Sequence, residues 1–178
     1  MEELDRIGAR VTLMGVLGGI GGAASADGAC PDPNRPTSAS SQVELLSSGA
    51  DILVHSVIHP IMTSVTANNG SPYPGDFYCR QTNAPDLGAM AENAGVGVVM
   101  LSHLIPSIGA EVWGIWNIQE KGLSKKDWKE AVENNGAYTG KVVAGGDLKA
   151  YCLGDCPPCD SSDEEDAEDC VDELSIGV

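Results

Sequence analysis

Residues 84–106, APDLGAMAENAGVGVVMLSHLIP, admit few folds. Pro85 suits the first turn of a helix, small and apolar residues continue to Ala94, and Gly95 is placed to take the left-handed conformation that ends a helix. Val96 to Leu101 then runs without polar alternation, as a parallel strand covered on both faces does. That strand is expected to end on Ser102-His103, because Pro106 forbids much continuation. His103 therefore falls at the carboxyl end of a buried parallel strand, where open α/β sheets place their ligands.

The rest of the chain repeats the pattern. Gly49 breaks the chain before Ala50-Asp51-Ile52-Leu53-Val54-His55, a second buried strand, and Val43 to Ser48 adds a helical turn ahead of it. Ser124-Lys125-Lys126-Asp127 opens a helix capped by the serine, with Trp128, Ala131 and Val132 as its apolar stripe and Asn134-Asn135-Gly136 as its end. Gly140 to Leu148 forms a third strand with a glycine-rich exit. Between the second strand and the central helix, Pro60 to Thr82 reads as a long irregular loop with turns at Asn68-Asn69-Gly70 and Pro72-Tyr73-Pro74-Gly75. The order strand, loop, helix, strand, helix, strand implies right-handed crossovers and a mostly parallel sheet. The fold class is α/β.

Three segments follow from composition. Residues 43–151 hold the elements above. Residues 1–42 are poorly defined: Ala24-Ser25-Ala26 has the form of a signal-peptidase site, but Glu2, Glu3 and Asp5 outweigh Arg6 and Arg10, so an edge strand and a loop compete with a signal peptide over residues 1–26. The first reading puts the protein in the cytoplasm and the second outside the cell. Residues 152–178 form a cysteine-containing acidic tail, expected to be disordered because it has too little apolar surface to bury and its like charges repel. The formal net charge is -16, and ten of the 26 acids lie between Asp155 and Glu173 with no base among them. Phosphate binding draws on clustered Lys and Arg, so nucleic acid is not an expected partner. No stretch is long and apolar enough to span a bilayer, so no membrane partner is expected either.

Taken together, Gly49-Ala-Asp-Ile-Leu-Val-His-Ser56, the Thr82 to Gly95 helix, Val98 to Pro106 and Gly140 to Leu148 resemble the C-terminal half of metallo-β-lactamase-fold hydrolases. The branch is the one containing ribonuclease Z and the arylsulfatase-like or phosphodiesterase-like enzymes. The resemblance covers roughly residues 43–150, and its most specific part is the pairing of ADILVHS with AGVGVVMLSHLIP downstream. It implies the C-terminal βαβαβ half of an αββα sandwich, with zinc at the strand ends activating water to cleave a phosphodiester, sulfate ester or similar small-molecule ester. His103 matches the family's last zinc-binding histidine.

The match departs from the family at several positions. Nothing resembles His-x-His-x-Asp-His, since the histidines are His55, His59 and His103 alone. Val16 stands in place of a bridging aspartate, Ser56 in place of a glutamate, and Gln81 in place of a histidine. Zinc takes three or four ligands, so the chain resembles half of an enzyme. The alternative is a non-catalytic binding module derived from the fold. An exposed sheet edge left by a missing half would in either case favour pairing with a second copy.

Each candidate has a plainer reading. A lone strand-end histidine is more often hydrogen-bonded than metallated. His55 and His59 straddle a strand end, where residues four apart do not converge, and read as structural. Asp147 suits a turn as well as the rim of a site. Cys152, Cys156 and Cys159 match the spacing of a cluster-binding Cys-x3-Cys-x2-Cys motif, but without the long barrel that should follow it. With Cys170 they could bind zinc, form disulfides in an oxidising compartment, or remain free thiols.

Overall fold

The computed structural model describes residues 11–14, 39–74, 78, 81–118 and 122–144. Among them a four-stranded sheet of β1 (Val11–Met14), β2 (Ile52–Ile58), β4 (Val98–Ile105) and β7 (Lys141–Ala144) runs in the order β1-β2-β4-β7, every pair parallel. The expected α/β class and parallel sheet are present. β1 lies at one edge of this sheet. Val16, Asp147 and the cysteine-containing acidic tail lie outside the described residues.

Three of the helices among the described residues pack on one face of this sheet. Helix α1 (Ser41–Leu46) buries Val43, α2 (Ala84–Ala94) buries Leu87, Met90, Ala91 and Ala94, and α3 (Lys125–Gly136) buries Trp128, Ala131 and Val132. They meet Leu53 and Val57 of β2, Val99 and Leu101 of β4, and Val142 and Ala144 of β7 in a single core. The opposite face gathers Ile52, Val98 and Val143, with Val54 and Met100 half-buried beside them. Both faces are therefore apolar, which is why these strands read as unbroken aliphatic runs.

The helix ends follow local chemistry. Asn83 Oδ1 accepts the Asp86 N–H at 2.9 Å, Pro85 fills the first turn, and Gly95 closes the helix at φ 65°. At α3, Ser124 and Asp127 form a reciprocal capping box. The helix ends at Gly136, as expected, and Ala137 takes the left-handed conformation after it, at φ 54°. The following residues explain it. Tyr138 is buried and donates its hydroxyl to the Val96 carbonyl at 2.9 Å, and the Thr139 N–H donates to Glu92 at 2.8 Å. These two bonds tie the exit of α3 to the exit of α2.

Two sequence expectations need correction. β4 does not end at His103 but continues to Ile105, because Leu104 and Ile105 pair with Val57 and Ile58 once the chain has passed an irregularity. The loop from Pro60 to Thr82 is partly regular. It contains a 3-10 turn (Pro60–Thr63) and β3 (Thr66–Ala67), which joins β5 (Val112–Trp113) and β6 (Trp116–Asn117) in a small antiparallel sheet of order β3-β6-β5. The two chains leaving the carboxyl ends of β2 and β4 thus pair with each other. Ile58, Met62, Val65, Tyr78, Ile105 and Ile118 form the apolar cluster beneath them. The pairing links segments some fifty residues apart, beyond the reach of local pattern.

Candidate functional site at the carboxyl edge of the sheet

The site is assembled from the strand ends upward. β2 and β4 stay in register from Ile52↔Val98 to Ser56↔Ser102, and the next pair is Val57↔Leu104. His103 is the extra residue of a β-bulge, unopposed on β2. Its backbone has φ 44°, a conformation that L-residues adopt at a cost and that clusters at functional positions. Its side chain is exposed. The structure therefore places this candidate near the carboxyl end of a central strand, with its ring open to a ligand.

The other two histidines are engaged elsewhere. His55 is buried, and its Nδ1 lies 2.6 Å from the Ser56 carbonyl, to which it donates. Burial holds its pKa below the ordinary 6.5, against the opposing pull of that bond. His59 is half-buried, and its Nδ1 accepts the Ile61 N–H at 3.1 Å, capping the 3-10 turn. Its ring stands edge-on to Trp128, centroids 5.0 Å apart, and hydrogen-bonds the Asp127 backbone. Its pKa too is lowered, first by burial, with Asp127 opposing. Both are structural histidines, as their positions in the sequence suggested. The cue for the role of His59 was Pro60 behind it, since proline at the first helical position marks the preceding side chain as a cap.

Ser56 and Gln81, two of the positions at which the resemblance departs from the family, sit in the same region. Ser56 is buried in β2. The segment after Gln81 joins the end of β2, with the Ile58 N–H donating to the Thr82 carbonyl at 3.0 Å. Gln81 Oε1 is buried and has no hydrogen-bond partner. Among the described residues no three of His, Cys, Asp and Glu converge as a metal site would require. One open imidazole and one orphaned amide oxygen do not make a zinc centre, so these residues alone do not fit the metal that the resemblance implies.

No family model matches the chain, and no curated protein matches it. Among solved structures, the metallo-β-lactamase fold protein YhfI from Bacillus subtilis superposes with a TM-score of 0.35 at 15% identity, covering 59% of this chain and 32% of that one. The chain thus matches about a third of that protein's length. No described helix is long and apolar enough to cross a membrane.

Proposed function

We propose that this chain supplies one wall of a metal-dependent hydrolase site of metallo-β-lactamase type, with His103 as one zinc ligand and the remaining ligands on polypeptide outside the described residues. The substrate class is a small phosphodiester or sulfate ester. The observation that carries this reading is the exposed, left-handed His103 on a bulge near the carboxyl end of β4. A solvent-facing imidazole held in a costly backbone conformation serves no packing purpose. The apolar second face of the sheet agrees with it, because a parallel sheet is ordinarily covered on both sides and α1, α2 and α3 lie on one.

Ser56 and Gln81 favour a second reading, a non-catalytic binding module. Both stand within the segment that carries the resemblance, and neither is a strong zinc ligand. The intact mass of the protein from its native source separates the two. A species well above 18.4 kDa that carries zinc, and loses it in His103→Ala, supports the hydrolase. A mass of 18.4 kDa with no stoichiometric zinc at His103 leaves the binding module.

A further inference from the structure

His59 joins four parts of the carboxyl edge. Its backbone N–H donates to the Ile105 carbonyl of β4 at 2.8 Å, directly after β2 ends. Its Nδ1 accepts from Ile61 in the 3-10 turn, its ring meets Trp128 of α3 edge-on, and the ring also bonds the Asp127 backbone. Since Nδ1 is an acceptor, the ring proton of the neutral form resides on Nε2, and the arrangement is satisfied by that one tautomer. A second proton can enter only at Nδ1, where it would face the Ile61 N–H donor to donor. We propose that His59 is a proton-operated latch: neutral, it fastens the turn after β2 to the first turn of α3, and protonated, it releases Ile61 and loosens that edge of the sheet.

The charges around the ring do not cancel this effect. The charged group facing it from α3 is Asp127, which favours the protonated ring. That carboxylate is already shared with the Ser124 hydroxyl and N–H, at 2.6 and 2.7 Å, and with Lys126 nearby. It is also solvent-facing, where a charge acts weakly. From β2, the nearest titratable residue is His55, whose Nδ1 is turned to Ser56. Desolvation by the packing around Trp128 is the larger influence, and it opposes protonation. Holding the ring neutral keeps the cap formed. Acid therefore opens the latch, at a cost to the folded state.

Amide hydrogen exchange on the full chain tests this, with intrinsic rates corrected for pH. Between pH 7 and pH 5, protection at Ile61 and Trp128 should fall several-fold in the wild type, while Val99 at the centre of β4 changes less. In His59→Asn the side-chain oxygen can still accept from Ile61 in an Asx turn, but it does not titrate. Protection at Ile61 should then be independent of pH over that range. An equal pH response in H59N, or none in the wild type, overturns the latch. Should H59N fail to fold, the wild-type amide of Ile61 and the ring of His59 must titrate by NMR with one midpoint; two different midpoints also overturn it.

Discussion

The helix-covered face of the sheet and its carboxyl edge are built from neighbouring residues of the same strands, yet they obey different rules. On the covered face the apolar choices agree, although the Trp128 indole N–H is buried without a partner: Leu53, Val99 and Leu101 are buried, in register, and matched by Leu87, Met90, Trp128 and Val132 from the helices. At the edge the ladder slips by one residue, His103 adopts φ 44°, Gln81 Oε1 has no partner, and Val112 and Ile115 stand exposed. Agreement across levels marks a region selected for stability, and local conflict marks a region selected for something else. The comparison is sharpest between Trp128 and His103, one fully buried and the other open to solvent.

The largest expected effect is therefore on the covered face. Trp128→Ala should cost about 3–5 kcal/mol, the usual range for removing a buried large aromatic. Chemical denaturation would show this as a drop in midpoint without a change in slope. Trp128→Phe should cost far less. It keeps most of the packing and removes an indole N–H that is buried without a partner. If both variants lost the same amount, the indole nitrogen would have to be bonded after all.

Gly140→Ala should come next, at about 1–3 kcal/mol, as overpacking does. A Cβ there would overlap the Tyr138 hydroxyl and approach the Gly97 carbonyl at 2.8 Å. The hydroxyl would have to leave the Val96 carbonyl, releasing the tie between the ends of α2 and α3. Tyr138→Phe combined with Gly140→Ala should recover part of the loss, because the obstructing oxygen is gone. A double mutant no more stable than G140A would place the obstruction at the ring carbon Cζ of residue 138, which phenylalanine keeps, or at the Gly97 backbone.

The covered face was legible in the sequence because its signals are local. Pro85 and Gly95 bracket α2, Ser124 and Asp127 open α3, and aliphatic runs mark β2, β4 and β7, so each element could be located from its own residues. The edge was legible only in part. The position of His103 followed from Pro106 and the strand before it, but a bulge is a property of two strands in register, and neither ADILVHS nor VVMLSHLIP alone shows where the count fails. The small sheet was hidden for the same reason, since Thr66 meets Asn117 across a long loop. The left-handed turn at Ala137 was not legible, since tertiary bonds at Tyr138 and Thr139 set it.

Acid should weaken the fold through two desolvated rings, His59 at the edge and His55 within β2. His55 and His59 are both held below the ordinary histidine pKa of 6.5, chiefly by burial. In the unfolded chain they take up protons first, so their contribution is fully present above about pH 6.5 and declines as pH falls through that value. It stops declining once pH is below the folded-state values. Urea midpoints measured at pH 7.5 and pH 5.5 should thus be lower at the acid end, and the difference should shrink in His59→Asn. A midpoint that rises toward pH 5.5 would contradict the burial of both rings.

The smallest effect belongs to His103, and it carries the most information about why the edge differs. His103→Ala keeps the left-handed strain and removes only an exposed ring, so stability should change by less than about 0.5 kcal/mol. His103→Gly relieves the strain at some entropic cost in the unfolded chain, and should leave the protein as stable as the wild type or more so, by up to about 1 kcal/mol. A residue that can be replaced at no loss, or with a gain, is not there to hold the fold. If His103→Gly were instead destabilising by more than 1 kcal/mol, a packing role for the imidazole would be indicated, and the strain at φ 44° would belong to the fold. The difference between His103→Ala and His103→Gly thus separates a residue retained for a ligand from one retained for the bulge.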